Sequence, residues 1–200
     1  MENATQQDGR RARGEISRRA IMSLAVDLAS VDGLEGLTIG SLALKAQMSK
    51  GGIVALFGTK EQLQLATVAA AKEIFVASVV EPTLAVASGL ARLRALADNW
   101  LRYSESRVFA GGCFFAAAGA ELGSRRGPVR DAVAAATIEW QQFVRHTTQR
   151  AIDREELEAD APQLAFEITA LLDSANDLSL LLDSSEPYAR ARTALDRLLG

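Results

Sequence analysis

What this sequence has least of is reactive chemistry. It contains one cysteine, Cys113, and one histidine, His146, in 200 residues. A lone cysteine forms no intramolecular disulfide, as expected in a reducing cytoplasm, and a Cys–His metal site would lack ligands at any recognised spacing. No metal and no cofactor are therefore expected. There is no GxSxG, P-loop, GxGxxG after a strand, HExxH or CxxC, so nothing points to an enzyme. No apolar stretch reads as the ~18 residues of a membrane span, and the polar, Arg-rich start is the opposite of a signal peptide's apolar core. The expectation is a cytoplasmic chain with no membrane partner. Net charge is −3, which gives no global sign of nucleic-acid binding, so charge must be read locally.

Hydrophobic residues make up 48% of the chain and charged residues 24%, which excludes disorder. Ala and Leu dominate, proline occurs 4 times, and no strand alternation or internal repeat is visible. An all-α fold of about nine helices is expected. Residues 1–12 read as a flexible Arg-containing arm. A first helix carries Ile16, Ala20, Leu24, Leu28 and Val31 on one face, and Gly33 and Gly36 end it. Thr38 and Ser49 suit the N-caps of two short helices, and Thr59 with Gln62 fits a capping box opening a fourth helix that stops before Pro82. Beyond it lie a helix through Leu93–Leu101, an apolar segment Cys113–Ala120, a long helix from Pro128 to about Ile152, one opening at Asp160–Pro162 and one at Pro187.

The last third carries a heptad seam. Leu164, Ile168, Leu171, Ala175, Leu178 and Leu182 step by four and three, and Leu195 and Leu198 continue the step in the final helix. Two such helices could pair with their copies in a second chain, or could face the chain's own core. Periodicity alone leaves both readings open.

Local charge gathers around the two short helices. Residues 10–19 hold five arginines, Arg13 among them, against one Glu, and Lys45, Lys50 and Lys60 surround a small core of Ile39, Leu42, Met48, Ile53 and Phe57. Ala43 is small enough for the helices to pack closely. Two short helices joined by a tight turn are what major-groove reading requires, and basic residues supply salt-dependent phosphate affinity. A basic cluster by itself would equally suit a solvated face beside an ordinary helical hairpin.

The order of residues is more specific. Gly36-Leu37-Thr38-Ile39-Gly40-Ser41-Leu42-Ala43, then Met48-Ser49-Lys50-Gly51-Gly52-Ile53, then Phe57-Gly58-Thr59-Lys60-Glu61-Gln62-Leu63 resembles the N-terminal signature of TetR-type transcriptional repressors. The resemblance implies a helix-turn-helix domain over 13–63 and a helical effector-binding and dimerisation body over 64–200. It implies a repressor that binds double-stranded operator DNA as a homodimer and is released by a small apolar or amphipathic effector. By the same resemblance Thr38, Ser49 and Lys60 fall at phosphate-contact positions, and Lys50, Gly51, Gly52, Val54 and Ala55 face the groove. Gln47, Val54 and Leu56 depart from the pattern, standing where a Gly, a Tyr and a His are usual. These departures keep alive a second reading, a helical small-molecule binder whose DNA-binding function is weakened or lost.

The family resemblance tips the heptad seam towards a dimer interface. It also implies an effector pocket in the body, for which Trp100, Tyr103, Phe109, Phe114, Trp140 and Phe143 are the apolar candidates and Glu121 a polar one. Each aromatic taken alone would equally be plain core packing. Cys113, in an apolar run without nearby Lys or Arg, reads as a small buried hydrophobe.

Overall fold

The computed structural model describes the backbone of residues 2–200 and side chains from Arg18 onward. Among the described residues the fold is entirely helical. We number nine helices in chain order: α1 Glu2–Gly36, α2 Ile39–Lys45, α3 Lys50–Phe57, α4 Lys60–Leu84, α5 Leu90–Glu105, α6 Phe114–Leu122, α7 Pro128–Ile152, α8 Ala161–Leu182 and α9 Glu186–Leu198.

Local sequence sets most of the helix starts. Thr38 and Thr59 form capping boxes with Ser41 and Gln62. The Ser49 hydroxyl accepts from the Gly52 amide and the Asp160 carboxylate from the Gln163 amide, each satisfying a donor that the helix leaves free. Pro128, Pro162 and Pro187 all occupy first-turn positions, where their missing N–H costs nothing.

Four expectations change. The segment expected as an arm continues α1 back to Glu2, as its Gln, Arg and Ala residues permit; the side chain of Arg13 lies outside the described residues. In α1 the buried face is Ile21, Ala25, Val26 and Ala29, while Val31 is exposed. A four-residue step picked out a stripe at the edge of that face. The helix instead turns its small alanines inward, and it packs against both α4 and α6. Pro82 does not end α4. A π-helical turn over Val76–Val80 precedes it, and the proline falls in the first turn of the α-helical continuation Glu81–Leu84. Read without that break, α4 is by length and composition apolar enough to cross a membrane, with a mean hydropathy of 1.6 over one window. Its apolarity has another use here, because α4 packs against both α1 and α7.

The body is built around α5, whose Leu93, Leu96, Trp100, Leu101 and Tyr103 are buried against α4, α7, α8 and α9. A polar hub fixes one end of this core. Asn176 Oδ1 accepts from Ser104 Oγ and the Cys113 amide, both at 2.8 Å, and Ser104 also bonds the Tyr188 hydroxyl.

Candidate DNA-binding helices and effector cavity

The turn between α2 and α3 closes as a Schellman motif. The Met48 amide donates to the Ala43 carbonyl and the Gln47 amide to the Leu44 carbonyl, which requires a left-handed residue between them. That residue is Gln47, at φ 53°. The expected departure from glycine is therefore a real strain, on the order of 1 kcal/mol. The turn leaves Ser49, Lys50, Gly51, Val54 and Ala55 exposed on one end of α3 and buries Ile53 and Phe57 beneath it. Gly52 is half-buried, packed near the Met48 methyl. Leu56 turns back onto the core, so only Val54, of the two substituted recognition-helix positions, faces outward.

The charged residues around α3 divide into free and committed groups. Lys45 and Lys50 are exposed and in no ion pair with another described residue. Lys60 instead bonds Glu35 through its carboxylate (3.2 Å) and its carbonyl (3.0 Å), and the Thr38 hydroxyl is engaged with Ser41 in its cap. Arg18, part of the basic run, is exposed but committed to α3. Its guanidinium lies 5.0 Å from the Phe57 ring centroid and donates to the Leu56 carbonyl at 2.6 Å, so it seats the C-terminal end of α3. Sequence reasoning missed this role because the partner is 38 residues away. It also missed Leu44, which stands 83% exposed on α2.

A second cluster joins this unit to the body. At Gly33 (φ 78°) α1 breaks its helical geometry, freeing two backbone donors. Glu121 of α6 takes both: Leu34 N–H reaches Oε2 at 2.7 Å and Glu35 N–H reaches Oε1 at 2.8 Å. Gln64 of α4 donates to the Leu34 carbonyl, and Glu35 pairs with Arg125 as well as Lys60. Nearby the Gly111 amide donates to Ser30 Oγ. A Cβ at Gly111 would lie 1.8 Å from the Ser30 carbonyl oxygen, so only glycine permits that approach. Glu121, expected in the pocket, is thus a clamp between α6 and the end of α1.

The body holds a cavity of about 210 Å³ between α4, α5, α6, α7 and α8. Trp100, Trp140 and Phe143 line it, together with Phe75, Phe115, Val76 and Val80. Tyr103, Phe109 and Phe114 do not line it. They are buried behind the wall, Tyr103 edge-to-face on Phe109 and Phe109 tilted on Phe114, which is the packing role open to any aromatic. Phe75, missed in the sequence, centres the cluster with rings of Tyr103, Phe115 and Trp140 at 5.3, 6.0 and 5.1 Å. The polar lining is sparse. Lys72 and Glu139 pair with each other at 2.6 Å, Thr137 is satisfied by the Val133 carbonyl, and Cys113 and Asp173 complete it. Burial pushes the Cys113 thiol up to about 11, so it stays protonated and unreactive. Partial desolvation, with Asp177 nearby, raises the Asp173 carboxyl to about 6, although the residue keeps contact with solvent. The Tyr103 hydroxyl, buried without a hydrogen-bond partner, stands beside the Cys113 thiol.

On α8 and α9 the heptad residues separate. Leu164, Ile168, Ala175 and Leu195 are buried in the chain's own core, so they are not available to a second chain. Leu171 and Leu198 are half-buried, and Leu178 and Leu182 are exposed. Leu181, 80% exposed, and Phe166 add to the apolar surface; the two lie off the four-three seam.

Residues 89–195 match the family model described as tetracyclin repressor-like, C-terminal domain. The chain belongs to the TetR family. Solved structures of TetR-family regulators superpose along nearly the full chain. One from Chloroflexus aurantiacus is 28% identical with a TM-score of 0.84, covering 92% of this chain and 94% of its own. One from Cytophaga hutchinsonii is 18% identical with a TM-score of 0.81, covering 94% of each chain. AibR, solved in complex with isovaleryl coenzyme A and operator DNA, is 20% identical with a TM-score of 0.69, covering 80% of this chain and 86% of its own. No curated protein matches the sequence. The protein is a TetR-family transcriptional regulator, and the family match runs from α5 into α9.

Proposed function

We propose that this TetR-family regulator is a homodimeric repressor released from its operator when a small molecule enters the cavity of the body. The observation that carries the reading is the course of α4. The helix starts at Lys60, directly after the recognition helix, and its π-helical turn contributes Val76 and Val80 to the cavity wall. A ligand that moves this wall moves the helix that supports the DNA-binding unit, and a π turn is a place where a helix can change its pitch at low cost. AibR, solved with isovaleryl coenzyme A and operator DNA, supports the reading that this fold takes a small molecule as well as DNA. The exposed Leu178, Leu181 and Leu182 on α8, continued by Leu198 on α9, support a four-helix interface with a second copy.

On α3, Lys50 is the one long donor among the groove-facing residues, with Val54 and Ala55 offering methyl contacts to thymine. Selection of genomic fragments by the purified protein, followed by anisotropy titration, tests this. Recovery of a palindrome-like site, with loss of discrimination at one position in Lys50→Ala, is the expected result. A uniform loss across sequences with a shallower salt slope would make Lys50 a phosphate contact. The chemically sparse surface of α3 favours a second reading, a ligand-binding protein with weakened DNA recognition. Salt-sensitive binding without sequence preference would establish it in place of the repressor.

A further inference from the structure

The cavity walls carry five aromatic rings and four polar side chains besides the buried Cys113 thiol. Three of the four are already satisfied: Lys72 and Glu139 by each other, Thr137 by a main-chain carbonyl. Asp173 is the exception. Among the described residues it takes part in no ion pair or hydrogen bond, and the charge that acts on it is that of another carboxylate, Asp177, one helical turn away. The charge on the lining therefore sums to minus one, contributed by Asp173, which shares the cavity with Trp100, Trp140, Phe115 and Phe143. Asp173 keeps contact with solvent, so its carboxylate stands ionised at neutral pH and draws a cation to the cavity, and aromatic faces attract the same cation through their quadrupoles. A phosphate or carboxylate ligand would meet repulsion from Asp173 and Asp177 with no free cationic side chain on the lining to offset it.

We propose that the effector of this protein is a small organic cation, an amine or quaternary ammonium attached to an apolar group of about one ring, with its charge on Asp173 and its body among the aromatic walls. The proposal rests on the cavity being the effector site. Cavity volume sets the size, since 210 Å³ lies below the range of drug-sized sites. The rim pair Lys72–Glu139 lies between α4 and α7, so a cation entering past it competes for Glu139 and loosens α4 from α7.

Trp100 and Trp140 are the chain's two tryptophans and both line the cavity, so intrinsic fluorescence reports occupancy directly. The full-length protein is titrated with benzyltrimethylammonium, with its neutral isostere neopentylbenzene, and with isovaleryl coenzyme A. The expected result is saturable quenching by the cation about tenfold tighter than by the isostere. Asp173→Asn should abolish that preference while leaving the isostere's affinity unchanged, and Asp177→Asn should weaken it only slightly. Circular dichroism confirms that each variant is folded. Equal or tighter binding of the isostere, or an undiminished preference in folded Asp173→Asn, overturns the cationic class and leaves the cavity as an effector site. Tight binding of the acyl-coenzyme A alone does the same. Absence of quenching by all three overturns both the class and the site. A parallel operator-release assay reads the regulatory step separately: a cation that binds without releasing DNA supports the ligand class and removes the repressor mechanism.

Discussion

Three residues concentrate the physics of this protein. Gln47 occupies a left-handed position that a glycine would fill without strain, so Gln47→Gly should raise Tm by roughly 2–4 °C in a thermal melt. Operator affinity should be retained, because the turn geometry is unchanged. Asp173 has its folded pKa raised to about 6 from the usual carboxylate value. A raised carboxyl contributes stability that is fully present below the unfolded pKa and is lost as pH rises through the folded one. Asp173→Asn should therefore melt higher than the parent at pH 7.5, and the difference should vanish near pH 4. Because the residue is partly solvated, the gain is held to about 1 kcal/mol or less. Cys113, by contrast, is a thiol held protonated by burial, and the sequence neighbourhood already indicated as much.

At the scale of elements, the informative feature is how helices hand geometry to one another. Glu121 caps the broken end of α1 from a helix more than 80 residues away in sequence. Replacing it with Gln turns one acceptor into a donor facing an N–H. Glu121→Gln should cost about 1 kcal/mol. It should speed hydrogen exchange at the Leu34 and Glu35 amides while leaving those of α7 unchanged. Element starts were legible in the sequence because caps and first-turn prolines act within three or four residues. The buried face of α1 and the passage of α4 through Pro82 were not. Both depend on more than local sequence: alanines turned into the core in one case, a π turn that places the proline in a helix's first turn in the other.

For the whole molecule the open surface of α8 and α9 carries the strongest expectation. Leu178 and Leu181 are exposed in the single chain, and the double substitution Leu178→Glu, Leu181→Glu should convert a dimer to a monomer in analytical ultracentrifugation without lowering helicity. The same substitution at Leu164 or Ile168 should unfold the body, since these residues sit in its core. A dimer that survived the first substitution would place the interface elsewhere.

The sequence by itself determined the helical class, most helix starts and the family. Each of these depends on patterns a few residues long, in which cap, turn and periodic apolar positions act locally. Only the tertiary structure decided which of the aromatics line the cavity, which seam leucines are already used inside the chain, and that Glu121 and Arg18 brace rather than bind. Those roles belong to side chains whose partners lie tens of residues away. Helical spacing says only which residues share a face, and it takes the packed neighbours to say what that face meets.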